Sequence, residues 1–389
     1  MPTEYGALSY QGDPPASAAW REGFPVGRRL FCDFGPFGTD SGFEFTKVRV
    51  AYQTWGKLNA DASNAIYIAH ALTGDSHVTG DAGPGHTTGG WWNSLVGPGA
   101  PIDTEKYFVV CANVLGGCQG STGPSSLAPD SKEWGSRFPV VTIADMVRLE
   151  YALMGFLGIG SYVLMLGPSL GGMRVLEWMA RYPEAVRGGL VLGSTAAVSA
   201  DEIGIHSIQI AAIELDPHFN SGDYYDSPVG PVAGMGLARR IAHLTYRSES
   251  ELNVRFGRSV QGKESPSTGG RFAVESYLDH HADKLARRFD ANTYIALTRA
   301  MSLFDLGQGR GGVANALNSI TAPLTVVGID TDRLFPLRLQ QEIVDATPGA
   351  DELHLLVSPF GHDGFLVEEG QVARFVGHAL ARVEKATLI

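Results

Sequence analysis

The six residues Gly167-Pro168-Ser169-Leu170-Gly171-Gly172 constrain this chain more than any other stretch. Before them, residues 162–166 are apolar enough for a strand buried on both faces; after them, residues 173–180 carry apolar side chains at helical spacing. A serine between strand and helix fits the G-x-S-x-G nucleophile elbow, in which it sits on a strained turn above the edge of a parallel sheet. The flanking glycines let strand and helix approach without side-chain clashes. The bland alternative is a glycine-rich turn with an incidental serine. Choosing between the two requires partners elsewhere in the chain.

The rest of the pattern supplies the context. Residues 65–72 form a short apolar run that breaks into Thr73-Gly74-Asp75, and residues 107–112 form another that enters a glycine-rich loop from Asn113 to Ser126. Thr142 is placed to cap a helix running towards Leu157, and residues 187–192 resume a strand. From Ala200 to about Ser302 helical spacing takes over, at 205–215, 236–245, 272–289 and 291–303. A strand at 323–329, a helix at 337–347, a strand at 353–357 and a helix at 371–383 close the chain. This alternation predicts an α/β fold, a mostly parallel sheet with helices on both faces, and the elbow at Ser169 fits the αβ-hydrolase arrangement of it. The helical stretch predicts an insertion, dividing the chain into 1–198, 199–315 and 316–389.

Three further expectations concern the periphery. The segment up to about Gly42 reads as loop, and residues 43–52 alternate as a half-exposed antiparallel strand of an edge hairpin does. Glycine and proline make 80–101 a loop carrying Trp91 and Trp92. A G-x-G-x-x-G at Gly307 to Gly312 follows a helix where a dinucleotide site needs a strand, so it reads as a loop.

Composition narrows the partners. A formal net charge of -11 over 389 residues argues against nucleic acid, whose phosphates need clustered Lys and Arg. Cys32, Cys111 and Cys118 are too few for a disulfide framework and lack C-x-x-C metal spacing, which fits a reducing cytoplasm. No apolar run follows a basic start in the first thirty residues, so no secretory leader is expected. Residues 151–170 approach the length of a membrane span, but Gly158, Gly160, Ser161 and Pro168 interrupt them. A helix, a turn and a buried strand account for the same residues, with no membrane.

A serine hydroxyl needs a base within reach, and that base needs an acid to orient it. On this fold the order is serine, acid, histidine, with the later two in loops after later strands. His362 follows the strand at 353–357, and Asp332 follows the strand at 323–329; Asp330 leaves the same strand two residues earlier and competes for the role. Of the eleven histidines, His280, His281, His354 and His378 lie on helix or strand patterns, and His70 ends a strand; all are better read as structural or surface groups. The oxyanion hole needs two backbone N–H groups, assigned to Leu170 after the serine and to Leu72 in the loop after the strand at 65–72.

Taken together, these residues resemble the homoserine O-acetyltransferases of methionine biosynthesis, which have an αβ-hydrolase fold with a helical lid, implying that the insertion at 199–315 is that lid. The resemblance spans about 43–366. It rests on His70-Ala-Leu-Thr-Gly-Asp75, Asn113-Val-Leu-Gly-Gly-Cys-Gln-Gly-Ser-Thr-Gly-Pro124, Gly171-Gly-Met-Arg-Val-Leu-Glu-Trp178, Ala238-Arg-Arg240 with Leu244-Thr-Tyr-Arg247, Asp332-Arg-Leu-Phe-Pro336 and Gly361-His-Asp-Gly-Phe365. It implies Ser169 as nucleophile, Asp332 in preference to Asp330 as acid, and His362 as base. It further implies Arg239 for the carboxylate and Asp363 for the ammonium of the amino-acid acceptor. No permanently bound cofactor or metal is implied; acetyl-CoA is the co-substrate and L-homoserine the acceptor, and the apolar faces of the inserted helices suit a homodimer. Family members often carry Gly-Ser-Met where this chain has Pro168-Ser169-Leu170.

Relatives of similar sequence transfer succinyl groups or accept serine, and one methylene in a pocket discriminates by only about 1–3 kcal/mol. The Leu72-Thr-Gly-Asp75 turn favours acetyl and homoserine. An esterase or thioesterase is the alternative of another class, and the Arg239/Asp363 pair argues against it, because a simple ester would not use it. A binding protein lacking a triad member is not indicated, since none is missing.

Overall fold

The computed structural model describes residues 12–387. Its main sheet contains β1 (Leu30–Phe34), β2 (Val48–Trp55), β3 (Ala65–Ile68), β4 (Phe108–Ala112), β5 (Tyr162–Pro168), β6 (Gly189–Leu192), β7 (Leu324–Ile329) and β8 (Ala350–Leu356). Their spatial order is β1-β2-β4-β3-β5-β6-β7-β8. The β1–β2 and β2–β4 pairs are antiparallel and every other neighbour pair is parallel. The helices are α1 (Ile143–Phe156), α2 (Leu170–Arg181), α3 (Ala200–Glu214), α4 (Val232–Tyr246), α5 (Glu249–Arg255), α6 (Ala273–Ala286), α7 (Ala291–Ser302), α8 (Val313–Asn318), α9 (Leu337–Ala346), α10 (Gly364–Val367) and α11 (Glu369–Thr387).

Both faces of the sheet are covered, as strand periodicity requires. On β3, Ala65 and Tyr67 enter the core shared with α1 and α2, while Ile66 and Ile68 enter the core shared with α11. α1 starts where expected: Thr142 accepts from the Asp145 N–H, and the Asp145 carboxylate accepts from the Thr142 N–H, a closed capping box. α3 begins the same way with Ser199 and Glu202. Helices α3 to α7 all lie between β6 and β7, with α4 packed on α3 and α6.

Two expectations change. The segment before Gly42 is not all loop, because Leu30–Phe34 forms the edge strand, pairing from Leu30 opposite Tyr52 to Phe34 opposite Val48. Glycine and proline around it hid a run of five. Residues 1–11 of that segment lie outside the described residues. The expected strand at 43–52 is two pieces: Glu44–Phe45 pairs with Phe37–Gly38, and β2 begins at Val48. β2 is mostly buried because it is second from the edge, between β1 and β4. Within 80–101 the loop is relieved only by Val96–Gly97, which pairs with Ile102–Asp103. The glycine-rich 307–312 stretch is a turn between α7 and α8. Among the described residues no helix is long and apolar enough to cross a membrane.

Under α2 lies a buried ion pair. The Arg174 guanidinium, with its side chain 0% exposed, is 2.6 Å from Glu150 of α1. Glu150 also accepts from Trp178 Nε1 at 2.8 Å, and Arg174 donates to the His70 carbonyl at 3.1 Å. Breaking such a pair strands a charge, whereas replacing both partners with apolar groups is often near neutral. Glu150→Ala is therefore expected to lose about 3–5 kcal/mol of stability in urea unfolding, and Glu150→Met with Arg174→Met to lose clearly less.

Candidate active site

Ser169 adopts φ 56°, ψ -123°, in the half of backbone space that side chains avoid. Two contacts hold it there. Its N–H donates to the Leu192 carbonyl at 2.9 Å, and its own carbonyl accepts from Ser194 Oγ at 2.8 Å. The helix that follows starts against the end of β3 so closely that a methyl at Gly171 would lie 2.0 Å from the Ala69 carbonyl oxygen. One at Gly172 would lie 2.6 Å from Ser194 Cβ. The glycines are thus required by contact, as well as by the turn.

The loops after β7 and β8 bring together the other two expected residues. His362 Nδ1 donates to Asp332 Oδ2 at 2.7 Å, which leaves Nε2 as the acceptor nitrogen of the neutral ring. The other carboxylate oxygen of Asp332 accepts from the Leu334 and Phe335 N–H groups at 2.8 and 3.0 Å. Asp330 is elsewhere engaged, accepting from the Ser358 N–H. Phe335, Tyr246 and Phe365 surround the imidazole with ring centroids 5.4 to 5.6 Å away.

Ser169 and His362 share a cavity of about 300 Å³ with Leu72, Arg239, Tyr246, Asp363, Lys284 and Arg288. No hydrogen bond joins Ser169 to His362 among the described residues, and such bonds often tighten only with substrate bound. Leu170 opens α2, so its N–H is one of the first-turn donors without an intrahelical partner. The turn bearing Leu72 is fixed from several sides. His70 donates from Nδ1 to the Ala71 carbonyl at 2.8 Å and accepts the Val114 N–H at Nε2, so it is a neutral structural group. Burial, with the Arg174 charge behind it, pushes its pKa down to about 4. Arg288 donates to the Thr73 carbonyl at 2.7 Å, and Trp91 to the Asp75 carbonyl at 3.0 Å.

Arg239 lies over the Tyr246 ring, 5.3 Å from its centroid, with Nε and Nη1 buried and without hydrogen-bond partners among the described residues. Asp363 is not alone in the cavity, because Arg247 Nη1 stands 3.5 Å from its carboxylate. Burial raises the Asp363 pKa, and Arg239, Arg247 and His362 oppose that shift. Burial lowers the Lys284 pKa, with Arg288 and Arg239 adding to the effect. Sequence reasoning missed Tyr246, Lys284 and Arg288. Tyr246 was within reach, since it lies two helical turns after Arg239 on the same face of α4. A larger cavity, about 540 Å³, opens between the β1–β2 hairpin and the loop at 120–134, and none of the three triad candidates lines it.

Burial depresses the His362 pKa, but the charge and hydrogen bond of Asp332 outweigh it and raise the value. Folding thus favours the protonated ring; that contribution is complete below the unfolded value of about 6.5 and is lost as pH rises through the higher folded one. In a histidine NMR titration His362 is expected to titrate above about 6.5, and Asp332→Asn to bring it down.

The sequence profile of the alpha/beta hydrolase fold family matches residues 64–369. A homoserine O-acetyltransferase of Thermobifida fusca is 57% identical over 379 residues, covering 96% of this chain and 100% of that protein. One of Mycobacterium tuberculosis is 51% identical over 353 residues, covering 91% and 93%. Among solved structures, homoserine O-acetyltransferase from Bacillus anthracis is similar at TM-score 0.82 and 26% identity, covering 90% of this chain and 97% of that one. Esterase E22 is similar at TM-score 0.82 and 27% identity, covering 90% and 99%.

Proposed function

The chain belongs to the homoserine O-acetyltransferases, on the αβ-hydrolase fold, and we propose that it makes O-acetylhomoserine, in methionine biosynthesis, through an acetyl-serine formed on Ser169. The observation that carries this reading is Arg239. Its guanidinium, from a residue lining the cavity of Ser169 and His362 and with two buried nitrogens that have no partners among the described residues, is suited to a carboxylate arriving with the acceptor. Leaving such donors unpaired costs about 1–3 kcal/mol, which a bound carboxylate recovers.

In the proposed sequence, His362 Nε2 takes the Ser169 proton as Oγ attacks the thioester carbon of acetyl-CoA. The N–H groups of Leu170 and Leu72 stabilise the oxyanion, and CoA leaves as the thiol with the proton from His362. L-Homoserine then binds with its carboxylate on Arg239 and its ammonium on Asp363. His362 takes the proton of the side-chain hydroxyl, the oxygen attacks the acetyl carbon, and Ser169 Oγ regains a proton as the ester departs. Asp332 holds the ring and balances its charge. Nothing in the sequence of steps calls for a permanently bound cofactor.

Residues 199–315 act in this reading as the lid, which supplies Arg239 and limits water at the acyl-enzyme. We assign the enzyme to the cytoplasm, where acetyl-CoA is at hand and the three free, buried thiols of Cys32, Cys111 and Cys118 stay reduced. The lid also offers apolar side chains to a second copy: Ile208 and Leu215 on and just after α3 are 58% and 81% exposed, and Leu237 on α4 is 49% exposed. A homodimer is proposed, to be read by light scattering at twice the chain mass.

The test is thiol release from acetyl-CoA with and without L-homoserine, with L-serine and succinyl-CoA in parallel arms. Release is expected to depend on homoserine and acetyl-CoA, and Ser169→Ala to lower it on the order of 10⁴-fold or more. Arg239→Gln is expected to raise KM for homoserine about 10- to 100-fold while acetyl-CoA alone still acetylates Ser169. Equal release without any acceptor would transfer the protein to the hydrolases, the activity named for esterase E22.

A further inference from the structure

β8 is the outer strand of the sheet, and its ladder with β7 slips: Leu324 pairs with Ala350 but Val326 with Leu353. Two steps on β7 therefore span three on β8, a bulge between Ala350 and Leu353. In a regular strand Asp351 and His354, three apart, would point to opposite faces. The extra residue turns them to one side, where His354 Nε2 stands 3.2 Å from Asp351 Oδ2. From α11, His378 Nε2 reaches the same oxygen at 2.6 Å. The donor atoms of all three residues lie within 4.8 Å of one another.

The surroundings orient this trio. Arg382, one turn beyond His378, stands 3.3 Å from the other oxygen, Asp351 Oδ1, and is itself anchored on the carbonyls of Leu324 and Gly349 at 2.6 and 2.9 Å. Oδ1 is thereby occupied and Oδ2 is left to face the imidazoles. His354 is wedged between Phe375 and His378, with centroids 5.9 and 4.6 Å away.

We propose that Asp351, His354 and His378 form a binding site for a divalent transition ion of the zinc class, which clasps the C-terminal helix α11 to the edge strand β8. Two imidazoles and one carboxylate oxygen suit zinc or a neighbour such as cobalt, and disfavour calcium and magnesium, which want oxygen ligands. Zinc bonds of about 2.0–2.2 Å at tetrahedral angles separate ligand atoms by about 3.3 Å. Both contacts to Oδ2, 3.2 and 2.6 Å, are shorter than that, so the ion enters as the rings rotate outward and each imidazole presents an unprotonated Nε2 with its proton on Nδ1. Water fills the remaining position, and Arg382 acts as the outer hydrogen-bond partner that fixes a one-oxygen carboxylate ligand.

The site is independent of acyl transfer, and so is its test. Tag-free full-length protein, treated with EDTA and dialysed, is titrated with zinc chloride by calorimetry. One ion per chain is expected, with a zinc-dependent rise in Tm. His378→Gln changes a side chain that is 42% exposed, so it should fold and keep its thiol-release activity. It is expected to weaken zinc binding by about tenfold or more, because one of three protein ligands is gone. Asp351→Asn is expected to do the same, and both to abolish the rise in Tm. Cobalt(II) should give a visible ligand-field band in the parent and none in His378→Gln. No saturable binding in the parent, or zinc bound equally well by both variants, would overturn the proposal.

Discussion

The start of α2 leaves no room between itself and the end of β3. A Cβ at Gly171 would come within 2.0 Å of the Ala69 carbonyl oxygen, and one at Gly167 within 2.8 Å of the same atom. That contact explains why the turn must be so sharp, and why Ser169 is forced to positive φ between strand and helix. It also sets where the 70–75 turn can lie, since that turn continues from the strand end that α2 touches. Arg174, further along α2, completes the connection by donating to the His70 carbonyl while paired with Glu150 of α1. Ser169 and the candidate oxyanion donors are therefore parts of one packed unit whose spacing is set by the sheet, α1 and α2.

The electrostatics divide along the same line. On the sheet side, charge is satisfied within the protein: Asp332 has His362 and two backbone N–H groups, and Glu150 has Arg174 and Trp178. On the side of α4 and α6 it is not. Arg239 has buried nitrogens without partners among the described residues, and Lys284 brings a second cation from α6 into the same cavity. Asp363 stands at the boundary, next to His362 in sequence and paired with Arg247 from just beyond α4. Such a surplus of positive charge favours an anionic visitor.

Much of this was legible in the residues. Buried parallel strands announce themselves as continuous apolar runs, so Tyr162–Pro168 and Leu324–Ile329 were found within two residues at each end. The edge strand Leu30–Phe34 was not, because an edge strand has one wet face and this one lies among turn residues. Nor does spacing distinguish Asp330 from Asp332; only the loop conformation aims one carboxylate at His362 and the other at the Ser358 N–H. The bulge in β8 is equally silent, since an extra residue changes facing without changing composition, and the Asp351, His354 and His378 cluster depends on it.

A triad of this kind is indifferent to what receives the acyl group. The same fold carries an esterase at TM-score 0.82, so neither the elbow nor the Asp332–His362 pair selects an amino acid over water. Selection has to come from groups that bind an acceptor before chemistry. In this chain the period of α4 places the candidates: Arg239 and Tyr246, two turns apart, share the face turned to the cavity, while Arg240 turns away to Asp279. Adjacent arginines thus take opposite roles by a single step of rotation. A shift of α4 by one residue would leave Ser169, Asp332 and His362 in place and turn Arg239 out of their cavity.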